Sequence, residues 1–170
     1  STYRPVAVYA SDVNGDGITE LPRAVLMAGY KDTSSSDAVY MLDWYAYGIG
    51  KVPTKVATTY QNISDAWSLL IDQKWHDRIT AIKVSDGGLS YVEFFEYRKN
   101  KMSIPLFNIY CATGSNREYY AERTDLIQLG QTTQAIYFAK LTNEGEQSEL
   151  ALTGDEIKAR FSLVNQAWNN

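Results

Sequence analysis

The chain is poor in the residues that build covalent and metal frameworks: one cysteine, one histidine and four prolines in 170 residues. With Cys111 alone, no internal disulfide can form and no cysteine-based zinc ribbon is available. With His76 alone, a histidine-rich zinc site is excluded too. Positive charge is also scarce. Lys and Arg number 16 against 20 Asp and Glu, the net charge is -4, and no basic run occurs, which argues against nucleic acid as a partner. No apolar stretch approaches the ~18–20 residues that cross a bilayer, so no transmembrane segment is expected. Ser1-Thr2-Tyr3-Arg4 has neither an initiator methionine nor a signal peptide, so the chain is expected to come from inside a longer precursor. Phosphate-cradling and nucleophile-elbow glycine motifs are missing as well. Gly48-Ile49-Gly50 lacks a third glycine and reads as a hairpin loop.

What is present is material for a β-rich core: 45% hydrophobic residues, 13% aromatic, and 13 tyrosines in alternating or β-branched company. Strands are expected over 6–10, 21–28, 38–47 and 55–61, with the polar tract Lys31 to Asp37 as an exposed, mobile hairpin loop. A second group follows at 67–71, 79–84, 90–97 and 105–112, and Asp86-Gly87-Gly88 marks a tight hairpin between two of its members. Residues 115–123 read as a short helix, with Ser115 as N-cap and Glu118 as its capping-box partner, before further strands at 126–130 and 134–141. At the end, Thr153-Gly154-Asp155-Glu156 is a second capping box. Ile157, Phe161, Val164 and Trp168 then form an apolar stripe, which predicts an amphipathic helix over 153–168 packed on a sheet. The expected class is α+β, mostly antiparallel β-sheet, without the regular βα alternation of doubly wound enzymes. The two strand groups have the length of successive four-stranded blades. A boundary is expected near Asn62 to Asp65, dividing a calcium-loop meander (1–62) from a second sheet with its helices (63–170), as two units or one continuous domain.

The most specific chemical signal is Asp12-Val13-Asn14-Gly15-Asp16-Gly17-Ile18-Thr19-Glu20. Calcium takes six to eight oxygens, and a loop supplies them by aiming alternate side chains inward around a glycine turn. Asp12, Asn14 and Asp16 hold the first, third and fifth positions, Gly17 the sixth, and Glu20 the ninth, with the Ile18 carbonyl as a seventh-position ligand. An EF-hand would put a bidentate glutamate at the twelfth position on an exiting helix. Here the twelfth residue is Arg23, after Pro22, at the start of an expected strand, so the EF-hand is rejected. A polar turn alone is the simpler alternative, since Asp, Asn and Gly gather in turns. Three carboxylates within nine residues, two of them alternating with Asn14, would, however, repel one another without a cation, and a flexible all-oxygen loop favours Ca²⁺ over Mg²⁺.

The pattern D-x-N-x-D-G-x-x-E followed by an apolar strand resembles the calcium loops of FG-GAP or VCBS-type repeats, with Glu20 in place of their usual aspartate. That resemblance implies a metal loop seated in a β-hairpin of a propeller blade. Farther along, Ser68 to Thr80, the aromatic strand 90–97, Leu106-Phe107-Asn108-Ile109, Gly114 to Glu118 and the closing Leu-Thr-x-x-Glu helix resemble C-terminal regions of uncharacterised bacterial envelope lipoproteins. This second likeness implies a secreted, cell-surface or envelope location and brings no catalytic residues.

Other candidates have bland alternatives. His76 and Cys111 form a thiol dyad on the sharp reading, and a turn histidine with a packed thiol on the other. Glu93, Glu96, Glu118 and Glu122 supply carboxylates for glycoside chemistry, but Glu93 and Glu96 fall on opposite faces of one strand, and solvated strand charges explain them better. Tyr40, Trp44, Tyr45, Tyr47, Trp67 and Trp75 are either core or a surface for a sugar or protein. The expectation is a non-catalytic, calcium-stabilised surface or envelope domain acting with an unknown protein or glycan. The alternatives are an adhesion module using exposed aromatics and a small extracellular hydrolase.

Overall fold

The computed structural model describes residues 6–33 and 37–164. Ten strands make two five-stranded sheets, each antiparallel throughout. In the first, β1 (Leu21–Leu26), β2 (Tyr40–Ala46), β3 (Thr54–Asn62) and β4 (Trp67–Leu70) form a consecutive meander, and β10 (Phe161–Leu163) returns from the end of the chain to pair with β4. In the second, β5 (Ile79–Asp86), β6 (Leu89–Arg98), β7 (Lys101–Thr113), β8 (Ile127–Gln131) and β9 (Ala135–Leu141) lie in the order β5-β6-β7-β9-β8. The class expected from the sequence, α+β and mostly antiparallel β, is the observed one.

The two-residue side-chain period decides which faces meet. Met41 lies opposite Tyr60, Tyr60 opposite Leu69 and Leu69 opposite Phe161, so four strands of the first sheet put one apolar row on one face. Val92, Phe94, Phe107 and Ile109 do the same in the second sheet. The rows interlock: the Tyr60 ring meets Phe94 edge-on at 5.4 Å, and Tyr137 meets Phe161 at 5.7 Å. Trp75 closes one end of this core from a single 3-10 turn (Gln73–Trp75). It is fully buried against Phe107, and its indole N–H donates to Leu150 O at 3.0 Å.

The expected boundary near Asn62 to Asp65 falls inside the β3–β4 hairpin, and one apolar cluster draws residues from both sides of it. Across the Asp86-Gly87-Gly88 turn, the two glycines take φ of 48° and 85°, the left-handed values a two-residue hairpin requires.

Four expectations need correction. Residues 6–10 do not join a sheet; the chain first pairs at Ser11, in an isolated bridge to Glu20. The strand expected over 21–28 ends at Leu26, where the chain turns through Gly29. Ser115 does not cap its helix: it sits at φ -64°, ψ -25° with no side-chain bond to the backbone, and α1 (Asn116–Ala121) is tied instead by Asn116 Nδ2 to Gly87 O at 3.2 Å. The last helix is the largest difference. Its capping box forms as read, with Thr153 and Glu156 each accepting from the other's backbone N–H, but the helix spans only Gly154–Arg160. Phe161 then turns extended because burial against Trp67 (5.9 Å) and the ladder to Leu69, Ser68 and Trp67 offer more than another helical turn. Ile157 remains the buried anchor of the helix, while Trp168 and Ser34 to Ser36 of the polar tract lie outside the described residues.

Candidate metal centre

The acidic loop is closed by the Ser11–Glu20 bridge, and β1 begins at the next residue, Leu21. Ser11 and Glu20 exchange both backbone hydrogen bonds, at 3.1 and 2.9 Å, which fixes the two feet of the loop side by side. Between them the chain winds tightly. Gly15 and Gly17 adopt φ of 75° and 85°, and open space surrounds both, so glycine is required there by backbone conformation and not by crowding.

Asp12 organises the turn. Its Oδ1 accepts from Gly15 N at 2.7 Å and Asp16 N at 3.1 Å, and its Oδ2 accepts from Gly17 N at 2.9 Å. Asp16 Oδ1 accepts from Ile18 N at 2.8 Å, its Oδ2 accepts from Asn14 Nδ2 at 2.9 Å, and Asn14 Oδ1 accepts from Asp16 N at 3.1 Å. These bonds are those of a good polar turn and need no ion. What they do not account for is Glu20.

Glu20 is fully buried. One oxygen, Oε2, accepts from Val13 N at 2.9 Å, while Oε1 is buried with no hydrogen-bond partner. One carboxylate oxygen from each of Asp12, Asp16 and Glu20 lies within 4.8 Å of the other two. Among the described residues, no lysine or arginine forms an ion pair with any of the three.

Glu96 shows what a satisfied buried carboxylate looks like in the same molecule. It too is fully buried, on the core side of β6 and not in solvent as the strand pattern implied. Its Oε1 accepts from Arg98 Nε, its Oε2 accepts from Ser148 Oγ at 2.8 Å, and Arg78 lies 3.9 Å away. Removing a charge from water is tolerable when it is paired and bonded in this way. Glu20 has the burial without the cation. A hard ion among Asp12, Asp16 and Glu20 would supply it, with Asn14 Oδ1 and the Ile18 carbonyl as further oxygen donors, and an all-oxygen set suits Ca²⁺ or Mg²⁺ better than softer metals.

The other candidates are not brought together as sites. Cys111 is buried in β7, and burial, reinforced by the Asp65 charge, pushes its thiol up to about 11; its polar neighbours are Tyr137 and Ser90. His76 follows the 3-10 turn and pairs instead with Asp77, Nδ1 to Oδ2 at 3.2 Å. Glu118 and Glu122 lie exposed at α1, apart from Glu96 and from half-buried Glu93 on the opposite face of β6. Trp44, Trp67 and Trp75 are core, Tyr40 and Tyr45 are half-buried, and of the six aromatics considered Tyr47 alone is mostly exposed. The sequence offered no sign of a different aromatic row, Tyr91, Tyr110, Phe138 and Tyr120, with successive ring centroids about 5 Å apart. The rings stack on one another, so their faces are not free for a ligand.

Fold and loop together define a two-sheet, antiparallel α+β protein with one acidic oxygen cluster leading into its first strand. No family model matches the chain, and no curated protein or solved structure shows significant similarity to it. Among the described residues, no helix is long and apolar enough to cross a membrane.

Proposed function

We propose that the chain is a non-catalytic surface or envelope domain stabilised by one calcium ion bound by Asp12, Asn14, Asp16, the Ile18 carbonyl and Glu20. The observation that carries this reading is that Glu20, buried with its Oε1 unpartnered, brings a carboxylate oxygen within 4.8 Å of those of Asp12 and Asp16. Such an arrangement costs free energy in the metal-free protein and becomes favourable when a divalent cation neutralises it. Extracellular calcium modules of this kind bind at roughly 10⁻⁴ to 10⁻³ M, an affinity suited to calcium-rich surroundings. The ion's role is structural: it binds the folded loop and not the unfolded chain, and stabilises the fold by mass action.

Calorimetric titration with CaCl₂ and MgCl₂ tests the reading. One calcium per chain at sub-millimolar to millimolar Kd, at least tenfold weaker magnesium binding and loss of both in Asp16→Ala are expected. No calcium heat at 10 mM, with the protein folded, would remove the site.

A further inference from the structure

β1 is an edge strand, and the ladder tells which of its backbone groups face outward. In an antiparallel pair, the N–H and C=O of one residue point to the same neighbour, and the direction alternates along the strand. The β1–β2 register is unbroken from Leu21 opposite Tyr45 to Leu26 opposite Tyr40, and Met27 N–H continues it to Val39 O at 2.9 Å. Residues 21, 23 and 25 therefore bond to β2. Glu20 faces the other way, to Ser11, and so do Pro22, Ala24 and Leu26. Proline is tolerated at Pro22 for this reason: its missing N–H falls on the open edge.

The segment Val6 to Ala10 enters Ser11 in the register that this edge needs. Continuing from the Ser11–Glu20 pair sets Tyr9 opposite Pro22 and Ala7 opposite Ala24 as the next hydrogen-bonded rungs. It also sets Val6 against half-buried Val25, and Ala10 against Leu21, which is 47% exposed. In the structure the segment turns aside instead. Val8 N–H donates to Val6 O at 3.1 Å, an inverse γ-turn centred on Ala7, and Tyr9 is 74% exposed. Opening that turn takes a change of roughly 70° in one ψ angle.

We propose that residues 6–10 are a strap that pairs with the free edge of β1 when loop 12–20 takes its cation, extending the first sheet to six strands. The idea rests on the calcium reading above. The loop is the turn of this hairpin, and Asp12 and Glu20 stand at its feet. The Ser11–Glu20 bridge already sets the feet side by side, and an ion held by Asp12 and Glu20 removes their mutual repulsion and keeps that bridge from fraying, so the next rungs add to a turn that stays closed. Linkage makes the coupling reciprocal: strap pairing tightens calcium binding by the factor with which calcium favours pairing.

The test is amide hydrogen exchange on the full chain in 10 mM CaCl₂ and in EGTA, alongside calcium calorimetry, for wild type, Ala7→Pro and Val8→Pro. Calcium is expected to slow exchange at Tyr9, Ala7 and Ala24 at least tenfold. Ala7→Pro removes a rung donor and should weaken calcium about three- to tenfold while abolishing the protection at Ala24. Val8→Pro removes the donor of the off-sheet turn, its nitrogen faces away from β1, and it biases Ala7 to the extended region, so affinity should hold or improve. Calcium binding with unchanged exchange, or with both variants binding like wild type, overturns the strap and leaves the metal site standing. Absence of calcium binding overturns both.

Discussion

Glu20→Gln separates a ligand carboxylate from a structural one, because the two roles predict opposite signs in one condition. The amide keeps an oxygen for Val13 N–H, now 2.9 Å from Oε2, and puts an NH₂ where the orphaned Oε1 lies, in a side chain clustered with the Asp12 and Asp16 carboxylates. In chelator the substitution removes two like-charge contacts within 4.8 Å, each worth ~0.9 kcal/mol in bulk water and ~3 kcal/mol at an effective dielectric near 20. A net gain of about 1 kcal/mol over wild type is expected there. In 10 mM calcium the wild type gains RT ln(1 + [Ca²⁺]/Kd), about 1.4–2.7 kcal/mol for Kd of roughly 10⁻³ to 10⁻⁴ M, and the variant forfeits most of it. At about 2–4 °C per kcal/mol for a chain of this size, wild type should melt about 3–10 °C higher with calcium than with EGTA. Glu20→Gln should shift by less than about 1 °C and should melt above wild type in EGTA. Thermal unfolding followed by circular dichroism reads all four midpoints. Equal losses in calcium and in EGTA would show that Glu20 serves packing alone and would refute the reasoning.

Trp75→Ala removes a fully buried indole and leaves Leu150 O without its donor, so denaturant unfolding should show a loss of about 3–5 kcal/mol. Cys111, buried and with its thiol pushed up to about 11, should resist a disulfide reagent at pH 8 in the folded chain and react fully in denaturant. Asp72 is held below the usual carboxylate range by the Lys74 N–H at 3.0 Å and then by Arg160 at 2.9 Å. A depressed folded value means that its contribution is complete above the unfolded value near 3.9 and is lost as pH falls through the folded one. Asp72→Asn should therefore cost about 0.5–1 kcal/mol at pH 7, a partly exposed ion pair being worth no more, and the difference should shrink in an acid unfolding series as pH falls through the lowered folded value.

Much of the architecture was legible because its causes are local. Alternation marked nine of the ten strands, and Gly87-Gly88 marked a hairpin, since two left-handed residues in succession have few other uses. Thr153 and Glu156 named a helix start correctly because a capping box is completed within four residues. The same logic failed at Ser115, where the backbone enters the helix already in helical geometry, leaving no extended N-cap for the hydroxyl to serve. It failed again after Arg160. Phe161 keeps a helix period with Ile157 and Val164 and a strand period with Leu163, and only Trp67 across the sheet chose between them.

By itself the sequence determined the oxygen donors, their alternate spacing, the glycines that let the loop turn, and the rejection of an EF-hand through Arg23. All of these are properties of neighbours in the chain. Tertiary structure alone decided that Glu20 is buried with an unpartnered oxygen while Glu96, equally buried, faces Arg78 and accepts from Ser148 in addition to its strand neighbour Arg98. A carboxylate's need for a cation depends on what water it has lost and which charges replace it. Those groups come from Arg78 and from Ser148, 52 residues beyond Glu96, and no spacing rule within a loop can supply them.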